Sequence, residues 1–337
     1  MFSAKLFQQR KQNRGHAVAL VIVALSLLAA LLLVVNRQYV VDQVTVWQYK
    51  PSAEIVSLAD RSGMGDTGKF YFYASHPKVE DAEAFNASCD RKEESTAVLG
   101  CYNGQNIFVY NVTNGKLDGI KEVTAAHEML HAAYARLGGD EKVRVNKLLE
   151  AEYDKLKSNK DIAERFAFYA RTEPGERDNE LHSIIGTEIA KVGPELEEYY
   201  RTYFSNRAKV LALHDKYASV FAELQAKGDA LTKQLTELKA AIASQTEAYN
   251  NAVSMLNSDI DSFNERANNG GFSSREEFES ERASLVARAG QLDSTRSTIN
   301  AEIAQYNALR EELRGVASQS SALNQSIDST LAPAPSL

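Results

Sequence analysis

Asp118-Gly-Ile-Lys-Glu-Val-Thr-Ala-Ala-His127-Glu128-Met-Leu-His131-Ala-Ala-Tyr-Ala-Arg-Leu137 is the stretch on which the reading of this chain turns. It reads as one helix, opened by Asp118, an acceptable N-cap, and closed by Gly138-Gly139. On a helix, residues four apart share a face. His127 and His131 therefore present imidazoles from adjacent turns, a spacing at which two rings can grip one Zn²⁺ with Zn–N near ~2.0–2.1 Å. Glu128 sits about 100° around the helix from His127, beside such a metal and not under it, where a general base takes a proton from a zinc-activated water. The competing reading is two ordinary histidines on an amphipathic helix. The motif's place in mid-helix, between a cap and a stop, argues for the metal.

A hydrolytic zinc site takes three protein ligands and leaves one position open. A third histidine six residues beyond His131 would fall at position 137, which is Leu137. A carboxylate from a later helix is expected instead. In Asp178-Asn-Glu180-Leu-His182-Ser-Ile-Ile-Gly-Thr-Glu188, Glu180, Ile184 and Glu188 fall near one face, and His182 points away from Glu180. Glu180 or, in second place, Glu188 is the candidate ligand. Asp178 is either an orienting partner for a ligating histidine or the helix N-cap.

His127-Glu128-x-x-His131 followed by Glu180 on a second helix resembles the gluzincin branch of the zincin metallopeptidases. There the third ligand is a helical Glu, often followed three positions on by a small residue. Glu180 with Ser183 fits this pattern, whereas Glu188 is followed by Lys191. The resemblance covers residues 67–205. It implies His127, His131 and Glu180 as zinc ligands, Glu128 as catalytic base and a peptide or protein as substrate. It also implies that the strand read at 106–112 is an edge strand along which an extended substrate pairs. The family often adds a Tyr or His that stabilises the oxyanion, and Tyr199, Tyr200, Tyr203 and His182 are candidates. The three tyrosines read more readily as packing residues.

N-terminal to this region, residues 1–16 carry Lys5, Arg10, Lys11 and Arg14 and no acid, and Ala17 to Val35 is unbroken apolar sequence. At the helical rise that run spans ~28 Å, about the thickness of a bilayer's hydrocarbon core. A transmembrane helix over 17–35 is expected, with the basic end in the cytoplasm and the rest extracytoplasmic. A cleaved signal peptide is the rival, but Val35-Asn36-Arg37 offers no small-residue cleavage site. Such a compartment permits a disulfide between Cys89 and Cys101.

The intervening segment, 36–66, reads as a linker with a short helix at Ala53–Ala59. Phe70-Tyr71-Phe72-Tyr73 reads as a strand, Val79–Phe85 as a helix and Asn106–Asn111 as another strand. Helices are expected over Asp140–Lys157 and Ile162–Tyr169, from Asp178 or Asn179 to Val192, and from Pro194. Strands followed by helices make the class α+β, mainly helical, with a small sheet.

From 206 to 328 the periodicity changes. Leu224, Leu231 and Leu238 are seven apart, as are Leu235, Ile242, Tyr249, Leu256 and Phe263. After Asn268-Asn-Gly-Gly-Phe-Ser-Ser274 the repeat resumes with Phe278, Leu285, Leu292, Ile299, Tyr306 and Leu313. Two such arms around a Gly-Gly turn predict an antiparallel coiled-coil hairpin, restarted by a capping box at Ser273/Glu276 or Ser274/Glu277. Self-association or a partner protein could use the same pattern. Residues 329–337 read as an unstructured tail.

The composition is that of folded protein, 44% hydrophobic and 25% charged with 6 Pro, and the net charge of −7 gives no basic surface for nucleic acid. Two functions are expected from these features. The first is a membrane-anchored zinc metallopeptidase. The second is a cell-envelope coiled-coil scaffold or adaptor with an inactive or non-proteolytic zincin domain. Glu128 discriminates between them, since a decayed site loses its base or a ligand.

Overall fold

Ser52 and Asp81 each place a side-chain oxygen on a backbone N–H three residues ahead, Ile55 and Ala84, and so start two of the short helices that surround the motif. The computed structural model describes residues 2–89, 98–172 and 175–330. Among these the chain is mainly helical, with twelve α-helices and one three-stranded sheet. It divides into two units, residues 1–218 with 326–337, and residues 219–325.

The first unit begins with α1 (Phe2–Val35), α2 (Arg37–Gln48), α3 (Ala53–Arg61) and α4 (Asp66–Ala74). Next come β1 (Lys78–Glu80), α5 (Ala82–Ser88), β2 (Gly100–Tyr102) and β3 (Ile107–Tyr110). α6 (Ile120–Ala135), α7 (Gly139–Leu156), α8 (Lys160–Thr172), α9 (Arg177–Glu188) and α10 (Pro194–Tyr200) follow. β3 lies centrally, parallel to β1 and antiparallel to β2. Ile107 and Val109 of β3 join Phe72, Ala126, Met129, Leu130, Leu181 and Ile185 in one buried core. Cys89, at the end of α5, is bonded to Cys101 in β2, with Cα atoms 6.0 Å apart.

Several expectations are corrected. Phe70–Tyr73 is helical, not a strand. Gly68 sits where a Cβ would come 2.3 Å from the Tyr203 carbonyl oxygen, so α4 packs tightly against the end of α10 and the contact overrides the aromatic run's β preference. Val79 lies in β1, and the helix expected there starts only after its cap, Asp81. The strand at 107–110 is central and not an edge, because β1 pairs with its other side; β2 is an edge. Gly119, at φ 106°, and not Asp118, precedes α6; Asp118 instead takes ion pairs from Arg61 and Lys216, both at 2.7 Å. Gly138 and Gly139 open α7, and α6 already ends at Arg136. α9 stops at Glu188, short of Val192.

Residues 36–66 are not a free linker. Ile55, Leu58 and Ala59 of α3 are core residues, and Asp42 of α2 is buried. Among the described residues no single helix is long and apolar enough to cross a membrane; Ala19–Val35 and Arg37–Gln48 pass that test only as a pair, bent by 75°. The tail expected from 329 is anchored at its start. Ser329 is buried, donates to Asn86 Oδ1 at 2.8 Å and accepts from Asn86 Nδ2 at its carbonyl at 2.7 Å, while Asn114 donates to Ser326 Oγ at 3.2 Å. Residues 331–337 lie outside the described residues.

The second unit is the body of two long helices, α11 (Arg207–Asn268) and α12 (Arg275–Ile327). Lys227 pairs with Glu312, Gln245 with Glu302, Asp259 with Arg288 and Arg266 with Glu281. Partners run in opposite directions along the two helices, which fits an antiparallel hairpin. Leu231, Leu235, Leu256, Phe263, Ile299, Val316 and Leu323 are buried along it. Gly270 makes the turn at φ 69°. Of the two capping boxes considered, Ser274 is the one used: its Oγ accepts from Glu277 N at 3.1 Å, and the Glu277 carboxylate accepts from Ser273 N at 2.8 Å.

Candidate metal centre

α6 is buried on most of its circumference, and Ala125, Ala126, Ala132 and Ala133 leave room for close neighbours. It puts the rings of His127 and His131 4.7 Å apart between centroids. α9 lies against it and supplies Glu180. That one carboxylate faces both rings: Oε2 is 3.6 Å from His127 Nε2, and Oε1 is 3.4 Å from His131 Nε2. Two ligands of a tetrahedral ion with bonds of ~2.0–2.1 Å stand about 3.4 Å apart. Both separations are close to that spacing. Gly186 allows this approach of the helices. A Cβ there would come 2.4 Å from Leu130 Cδ1 and 2.8 Å from Tyr200 Cε1.

Ligand atoms of His127, Glu128 and His131 also lie within 4.8 Å of one another, which would admit Glu128 to the same ion. Glu180 is the better third donor because its oxygens are closer to both rings. The backbone N–H of Tyr102 lies on the side of the Glu128 carboxylate and favours its charged form. β2 runs directly over it. A Cβ at Gly100 would meet Thr124 Cγ2 at 2.5 Å and Glu128 Oε1 at 2.7 Å. Burial pushes the Glu128 carboxyl up to about 7; Glu180 adds to the rise, while His131 and the Tyr102 N–H oppose it. Two imidazoles and a carboxylate form a donor set suited to zinc, and a fourth position would be left for water or substrate. His131 Nδ1 is buried with no hydrogen-bond partner among the described residues.

Glu188 is not drawn to this centre. Its Oε2 lies 3.6 Å from His214 Nε2. Asp178 does not orient a ligating histidine either. It accepts from Asn146 Nδ2 at 2.6 Å, and Asn146 Oδ1 in turn accepts from Tyr134 at 2.9 Å.

His182 is fully buried. Burial first, then the neighbouring His131 and His127, hold its imidazole down to about 3, so it is neutral. Its Nε2 is 2.8 Å from Tyr199 Oη, which is 3.2 Å from Tyr203 Oη, and Tyr200 donates to the His182 carbonyl at 2.7 Å. Burial raises all three phenols above their ordinary range. The four candidate oxyanion stabilisers thus bond to one another, and none of these bonds reaches His127, Glu128, His131 or Glu180.

Gly100, the Tyr102 N–H and Gly186 were not picked out from sequence. A glycine beside Cys101 in a short strand is a signal of close approach that could have found Gly100. Gly186 needs the α6–α9 packing to be recognised. Compared with protein-family models, with curated proteins and with solved structures, the chain matches none.

Proposed function

We propose that this chain is a zinc metallopeptidase anchored to a membrane through residues 17–35, with its metal domain extracytoplasmic. The observation that carries the reading is the convergence of His127 Nε2 and His131 Nε2 on the Glu180 carboxylate, at 3.6 and 3.4 Å, with the buried Glu128 beside them. His127, His131 and Glu180 would hold the zinc, which when bound polarises a carbonyl and makes water acidic enough to react at neutral pH. Glu128 takes the proton of the attacking water on its carboxylate and returns it to the leaving amine. A buried carboxyl poised near neutrality suits both transfers. Gly100 and Tyr102 belong to an edge strand, so an extended peptide chain could add to β2 next to the base. The disulfide, tying Cys101 to α5, fits an oxidising compartment.

The test is metal content and peptide cleavage of the full chain in detergent, beside Glu128→Gln. One zinc per chain in both, with chelator-sensitive cleavage lost by at least ~100-fold in the variant, is the expected result. A folded chain that binds no zinc would discard the metallopeptidase and leave the hairpin scaffold as the working function.

A further inference from the structure

α2 buries one carboxylate, Asp42, against the rest of the first unit, with Thr45, Val46 and the C-capping Tyr49 half-buried beside it, and leaves Val40, Val41, Val44 and Trp47 exposed together with Arg37, Gln38, Gln43 and Gln48. Asp42 is 2% exposed. It accepts from Arg136 Nε at 2.7 Å, from Arg136 Nη2 at 2.8 Å and from Gln38 Nε2 at 2.9 Å. Tyr49 donates to the Pro77 carbonyl at 2.8 Å. The opposite face carries Val40, Val44 and Trp47, of which Val44 is 47% and Trp47 83% exposed.

A helix on a water-facing surface turns its apolar residues in. Its chain neighbour explains the exposed valines and tryptophan. α2 follows directly on the apolar run that ends at Val35, whose large side chains are exposed, and leaves it at 75°. When one helix runs along the bilayer normal, a second at nearly a right angle lies in the plane of the interface. Tryptophan favours that depth, and Val40, Val44 and Trp47 form the one-sided apolar stripe that interfacial helices carry.

We propose that α2 is an interfacial helix, with Val40, Val44 and Trp47 seated in the headgroup–acyl boundary of a lipid bilayer. The Asp42–Arg136 pair then ties the end of the metal-site helix to that plane. The proposal rests on the anchoring of residues 17–35 given above.

Trp47 is the single tryptophan of the chain, so its emission reports this surface alone. The full chain is reconstituted into phosphatidylcholine vesicles and recovered by flotation. The expected result is blue-shifted emission, weak quenching by aqueous acrylamide, and loss of most of the signal when the lipid carries bromine at shallow acyl positions. Flotation with water-like, acrylamide-quenched emission overturns the interfacial placement and leaves the anchor standing. Blue-shifted emission insensitive to brominated lipid assigns the face to a protein neighbour and also overturns it. A chain that does not float with the vesicles overturns the anchor, and this placement with it.

Discussion

Gly100 sets how closely the sheet edge approaches the base. Its missing side chain leaves the space that Glu128 Oε1 and Thr124 Cγ2 fill, at 2.7 and 2.5 Å from where a Cβ would stand. Gly100→Ala should leave the three metal donors intact and displace Glu128. We expect unchanged zinc content with kcat/KM reduced on the order of 100-fold, since misplacing a reacting group by ~1 Å has that scale of effect. An alanine variant of full activity would show that β2 can yield. Glu180 and Glu188 separate as cleanly. Glu180→Gln should weaken zinc binding by more than ~100-fold in chelator competition, whereas replacing Glu188, which faces His214 at 3.6 Å, by Gln should not. The reverse order would transfer the ligand role. His127, Glu128 and His131 were legible because their geometry is local to one helix. Glu180 and Glu188 are both reached from helical spacing and the need for a third ligand, with the family likeness favouring Glu180, whereas Gly100 is not legible, because its reason for being glycine lies on a different element.

The elements divide along the same line. α3, α7, α10 and the two long helices follow from capping, spacing and glycine punctuation, all within the reach of a few residues. α4 does not. Phe70 to Tyr73 look like a strand until Gly68 is seen against Tyr203, and nothing near position 68 announces position 203. β3 is where the sequence pattern places it along the chain, but it is not the edge strand that the family resemblance implies, because β1, in a segment that reads as helix, pairs with its other side. α2 is the largest omission. Asp42 and Arg136 have side chains only 3% and 7% exposed, and their bidentate pairing holds α2 to the end of α6. Asp42→Ala would leave the Arg136 guanidinium buried and uncompensated. We expect a loss of about 3–5 kcal/mol in denaturant unfolding, much of it recovered when Arg136→Met is added. Additive losses in the double variant would show that the pair itself is not the source.

At the scale of the whole molecule, the change of period near residue 206 marks where the long helices begin, the contact division itself falls between residues 218 and 219, and the hairpin's turn is legible as Gly270-Gly271. The partition of its seam is not. Leu231, Leu235 and Leu256 are buried, while Asp259–Arg288 and Arg266–Glu281 pair across the helices with side chains 36–51% exposed, where ion pairs add little stability. The hairpin therefore has room for improvement. Gly228 and Gly290 are helical; a Cβ at Gly228 would find only Val316 Cγ1, at 3.9 Å, and one at Gly290 nothing within 4 Å. Gly228→Ala and Gly290→Ala should each stabilise the hairpin by about 0.5–1 kcal/mol, read as a rise in its thermal midpoint. A fall at either position would show that its backbone is not relaxed helix.

The return of Ser326 and Ser329 to Asn114 and Asn86 has a consequence in time. A ribosome delivers the two asparagines early and their partners only after residues 219–325 have been made. A nascent chain paused anywhere within the hairpin carries a first unit that still lacks its last strut, so that unit finishes folding only after the hairpin has been made.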